Sequence, residues 1–137
     1  MNPLTSLKYF RREEFVCPVS GEAHMNEQLL QALGEIREAL DEPMVIMSGY
    51  LSDQHPITQA KIDRGAKHGG PHALGYAVDV SCAGPQAIRI IELAIQNLAV
   101  TGIGVKQNGA WNSRFVHIDA VPTDNNLGLP RPAIWSY

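Results

Sequence analysis

Two short stretches alternate between apolar and polar residues, and they constrain this chain more than anything else in it. Tyr76-Ala77-Val78-Asp79-Val80-Ser81 puts Tyr76, Val78 and Val80 on one face of a strand and Ala77, Asp79 and Ser81 on the other. Arg114-Phe115-Val116-His117-Ile118-Asp119 does the same, with Val116 and Ile118 on one face and His117 and Asp119 on the opposite one. A strand patterned this way needs an apolar cover on one side only, which the rest of the chain must supply.

Amphipathic helices supply it. Leu29, Leu33, Ile36 and Leu40 fall at helical spacing behind Asn26, a good N-cap, and Pro43 is expected to stop the helix. A second helix is expected to open at Gly84-Pro85, with Ile88, Ile91, Ile95 and Leu98 as its buried stripe. Met44 to Met47 reads as a short strand ending at Ser48-Gly49-Tyr50, and Gly102 to Val105 as another, joined to the Arg114 strand through a turn at Asn108-Gly109. Residues 1–24 read as an extended, loop-rich lead-in that lays aromatics on the core. Ile57 to Asp63 suggests a helical turn inside a long polar connection. Leu127 to Tyr137, with its prolines and Trp135, is expected to wrap the surface. The expectation is one α+β domain over residues 1–137, a mostly antiparallel sheet flanked by helices.

Composition excludes several function classes. Eleven Lys and Arg against fourteen Asp and Glu leave a net charge of −3, no footprint for a nucleic-acid backbone or an anionic membrane. Cys17 and Cys82 make neither a disulfide framework nor a CxxC site. No apolar run is long enough to insert in a membrane, and no apolar leader of the secretory kind is visible at the start.

Of the five histidines, His24 and His55 read as surface or capping residues, and His68 is a possible cleft residue. His72 and His117 each have a carboxylate at a meaningful spacing. His72-Ala73-Leu74-Gly75-Tyr76-Ala77-Val78-Asp79 places an imidazole at the mouth of a strand and a carboxylate on it, with small residues between. With His117, that makes three protein ligands and an open position, the pattern of a catalytic zinc site. Spacing alone leaves two readings: a metal centre, or strand residues that only hydrogen-bond.

Ser48-Gly49-Tyr50, Gly69-Gly70-Pro71-His72 through Val80, and Phe115 through Asp119 resemble the peptidase M15 family. These are zinc D-Ala-D-Ala carboxypeptidase-like murein peptidases of the hedgehog/DD-peptidase fold. The resemblance runs from about Phe10 to Asp119, and His55-Pro56-Ile57 and Trp135-Ser136-Tyr137 look like small phage-encoded members in particular. It implies that His72, Asp79 and His117 bind Zn2+, that peptidoglycan stem peptides are the substrate, and that Ser48 and Tyr50 border it. Two positions depart from the family pattern. Arg114 stands where relatives carry an acidic general base, which leaves Asp119 as the nearest catalytic carboxylate or as a partner orienting His117. Leu51 stands where relatives carry a substrate-binding arginine, which leaves Arg64, Lys61, Lys67 or Arg114 to supply that charge. The resemblance thus implies a phage lysis or tail enzyme, reaching the wall through a holin or a virion. The alternative is a zinc-bearing binding or structural module that has lost turnover.

Overall fold

The computed structural model describes residues 7–137; the first six residues of the expected domain and of its lead-in lie outside the described residues. Three helices, α1 (Glu27–Leu40), α2 (Pro56–Asp63) and α3 (Pro85–Gln96), accompany five strands. The strands are β1 (Val45–Ser48), β2 (Ala77–Ser81), β3 (Gly102–Lys106), β4 (Phe115–Asp119) and β5 (Ala133–Ser136). They form one sheet in the order β1-β2-β4-β3-β5, antiparallel throughout except for the parallel pair β3–β5. The class is α+β with a mixed, mostly antiparallel sheet.

Alternation divides the sheet into two unlike faces. Val78, Val80, Val116 and Ile118 are fully buried on one face, where they join Leu29, Leu33, Ile36, Ala87, Ile90 and Ala94 in the core. Burying each such side chain is worth roughly 1.5–3 kcal/mol, so this is the face that holds the fold together. α1 begins as expected, with the Asn26 side chain accepting from Leu29 N at 3.0 Å. It ends three residues ahead of Pro43, because Asp41 turns left-handed (φ 57°) and its N–H closes onto the Arg37 carbonyl.

Three expectations are corrected. The buried stripe of α3 is Ala87, Ile90 and Ala94, with Ile91 partly buried, whereas Ile88, Ile95 and Leu98 are exposed. Two apolar rows compete on this helix. The row with alanines wins because small side chains let α3 sit close against α1 and β4. The Ile57–Asp63 turn is a full helix, α2, started by Pro56 at its first position and by the His55 ring, whose Nδ1 accepts from Ile57 N at 3.1 Å. The C-terminal segment does more than wrap the surface: Ala133–Ser136 is an edge strand of the sheet.

Candidate metal centre

The second face of the sheet carries one row of residues running across all five strands. Ser48 pairs with Asp79, Asp79 with His117, His117 with Gly104, and Gly104 with Trp135. The register therefore sets Asp79 and His117 side by side at the centre. The next row brings Ala77, Asp119, Gly102 and Ala133 together in the same way.

His72 reaches the same point from the turn between α2 and β2. That turn needs Gly75, which lies at φ 78° and whose absent Cβ would run into the His24 carbonyl. Its own carbonyl accepts from Asn26 N at 2.8 Å, tying the turn to the start of α1. The His72 ring is fixed by Nδ1 donating to the Gly49 carbonyl at 2.9 Å, which leaves Nε2 facing Asp79 Oδ1 at 3.3 Å. From the other side, His117 Nδ1 lies 3.1 Å from the same oxygen. Each of the three residues offers one donor atom, and all lie within 4.8 Å of one another.

The charges of this trio are coupled. Burial pushes the Asp79 carboxyl up, but hydrogen bonds from His117 and His72 outweigh it and hold the carboxyl down at about 2. Burial opposes a charged His117, yet its bonds to Asp119 and Asp79 raise it above the ordinary imidazole value. If every contact were a plain hydrogen bond, each ring would have to donate from both nitrogens: His72 to Gly49 and Asp79, His117 to Asp119 and Asp79. Both rings, with centroids 5.2 Å apart, would then be cations. One divalent ion supplies the same two positive charges to two neutral rings. The 3.1 and 3.3 Å separations also match the edge of about 3.3 Å that ligand bonds of 2.0–2.1 Å give a tetrahedral site. The residues present fit a divalent metal.

Asp119 stands behind His117, fully buried. Its Oδ2 accepts from His117 Nε2 at 2.7 Å, and Arg131 grips both its oxygens, Nε to Oδ1 at 3.0 Å and Nη2 to Oδ2 at 2.8 Å. Burial alone would raise this carboxyl, but the bonds from His117 and Arg131 win and lower it. With both oxygens taken up and none of its surface open, Asp119 is placed to orient His117 rather than to meet a substrate.

The His72-Asp79-His117 trio opens into a cleft of about 440 Å³. Leu51, Ile57, Lys61 and Pro71 line its side toward β1 and α2, so the long connection does form a wall of it. Leu129, Arg131, Trp135 and Tyr137 line it from the C-terminal segment. Of the six residues expected to border or bind substrate, Ser48 and Lys61 line the cleft. Tyr50, Arg64, Lys67 and Arg114 are not among its lining residues. Tyr50 packs edge-on against the His24 ring, the Arg64 backbone N–H closes the end of α2, and the Arg114 side chain donates to the Gly109 carbonyl and lies over Trp111. The cations on the cleft are Lys61 and Arg131. His68 is engaged elsewhere, accepting from Gly70 N and donating to the Leu127 carbonyl.

Sequence reasoning missed Arg131 and the inward role of Trp135. The available signal was that Arg131 is the sole cation between Ala120 and Tyr137. Two glycines of β3 admit these groups. A Cβ on Gly102 would collide with the Asp119 carboxylate, and one on Gly104 would lie 2.6 Å from Trp135 Nε1. The Trp135 ring thereby comes within 5.1 Å of the His117 ring, centroid to centroid.

The peptidase M15 family model matches residues 8–119 of the 137. No curated protein matches the chain. The chain belongs to the peptidase M15 family, a metallopeptidase assignment that agrees with a buried His-Asp-His trio able to hold a metal.

Proposed function

We propose that this M15 family member is a zinc-dependent peptidase that cuts the stem peptides of peptidoglycan, as a phage lysis or tail component. The observation that carries the reading is the convergence of His72, Asp79 and His117 on one point at the side of an open cleft. Two imidazoles and one carboxylate suit zinc among the divalent metals. When bound there, zinc polarises a peptide carbonyl and lowers the pKa of a coordinated water to about 7.

The chain's own residues supply the rest. Gly49 selects the His72 tautomer that turns Nε2 inward, and Asp119 does the same for Nδ1 of His117. Leu51 and Ile57 give the cleft an apolar side, and the ammonium of Lys61 offers a charge for a carboxylate or carbonyl of a peptide. Of the four basic residues considered for that charge, Arg64, Lys61, Lys67 and Arg114, Lys61 is the one that lines the cleft. Asp79 is the sole carboxylate among the described residues that line the cleft.

That same scarcity of carboxylates favours a second reading, a zinc-bearing binding module without turnover. Incubation of the purified protein with peptidoglycan, with and without chelator, separates the two. Chelator-sensitive release of new amino termini or D-alanine is the expected result. Retained zinc without cleavage would transfer the assignment to the module, and metal content well below one equivalent would remove both.

A further inference from the structure

We infer that Arg131, which lies outside the residues matched to the family, is a positioning residue of the metal centre: through Asp119 it fixes the His117 ring in its metal-binding orientation. The inference rests on reading His72, Asp79 and His117 as a metal site, and it adds a component from the C-terminal segment.

Four observations converge on it. The guanidinium meets Asp119 in a two-pronged pair at 3.0 and 2.8 Å, with the Arg131 side chain 6% exposed and that of Asp119 not at all. The oxygen that receives Arg131 Nη2 is the one that receives His117 Nε2 at 2.7 Å, so the fork sets the direction from which the ring is held. The guanidinium is itself fixed, donating to the Pro130 carbonyl at 2.8 Å and lying 5.1 Å from the centre of the Trp135 ring. Gly102 leaves the space the carboxylate occupies, so β3 has no side chain where the pair forms. A carboxylate clamped on both oxygens cannot rotate away from His117. Ring orientation, and with it metal affinity, then depends on a residue that touches no metal.

The test measures zinc affinity of the full-length protein by competition with a chromophoric chelator, together with the visible spectrum of the cobalt-loaded protein. Arg131→Met is expected to weaken zinc binding about 10–100-fold, the range for an outer partner of a metal ligand, and to shift the cobalt bands. Arg131→Lys, which keeps the charge but not the fork, is expected to fall between Arg131→Met and the wild type. A merely structural Arg131 would lower the urea midpoint and leave the cobalt spectrum of the folded protein unchanged; that result overturns the inference, as does zinc affinity within twofold of wild type. If Arg131→Met fails to fold, Arg131→Lys decides on the same two readouts. A wild-type protein that binds neither zinc nor cobalt sinks the metal site itself, a distinct failure from wild-type binding that is indifferent to Arg131.

Discussion

The two faces of the sheet are made by the same strands, one residue out of step, yet they obey different rules. On the helix-covered face, Val78, Val80, Val116 and Ile118 contribute through area removed from water, a quantity that changes gradually with side-chain size. On the cleft face, Asp79, His117 and Asp119 contribute only as a connected set, in which each polar atom is the partner of another. Among the described residues no buried side-chain nitrogen or oxygen lacks a partner, so removing one member strands the next. Burial is high on both faces; what differs is whether a neighbour can substitute for what is lost.

Adjacent residues of β4 offer the sharpest way to break that contrast. Asp119→Ala is expected to cost about 3–5 kcal/mol in urea unfolding, because it leaves the buried Arg131 charge unpaired, and to weaken metal binding as well. Ile118→Val, one residue away on the other face, is expected to cost about 0.5–1.5 kcal/mol and leave zinc affinity within twofold. Equal losses of metal affinity in the two variants would erase the distinction between the faces.

Removal of a ligand comes next in size. His117→Ala is expected to weaken zinc binding more than about 100-fold, beyond the range of an outer partner, and calorimetric titration reads it directly. Full zinc occupancy in that variant would take His117 out of the ligand set.

Acidity gives the smallest and most graded test, on the metal-free protein. A carboxyl held down at about 2 stabilises the fold above its ordinary value of 3.8, and that contribution drains away as the pH falls from about 4 toward 2. His117 has the opposite sign: its raised value adds stability that is complete below the ordinary 6.5 and is lost as the pH rises through the raised value. Urea midpoints should therefore form a plateau between these limits, and Asp79→Asn should flatten the acid side. A wild-type acid limb that survives in Asp79→Asn would assign it to other carboxylates.

Most of the candidate centre was legible because its three residues sit in local patterns. Period-two alternation puts His117 and Asp119 on one face without knowledge of any neighbour, and small residues between His72 and Asp79 signal a turn into a strand. The unread parts depend on contacts between distant segments. Arg131 meets Asp119 only because β5 pairs in parallel with β3, a non-local pairing that no local alternation announces. The stripe of α3 was misplaced because Ile88 and Ile90 are equally apolar, and only the close approach of α1 decides which one is buried. The role of Asp119 turned on burial and on its second partner, neither of which is written in a His-x-Asp spacing.

An inventory of side chains would credit β3 with nothing at the candidate metal centre. Its contribution is vacancy: at Gly102 and Gly104 the strand acts as a mould into which a carboxylate and an indole are pressed from the strands on either side. Anyone transplanting these ligands into another scaffold would have to carry the hollow along with the atoms, since bulk at either glycine would be felt by side chains that β3 does not own.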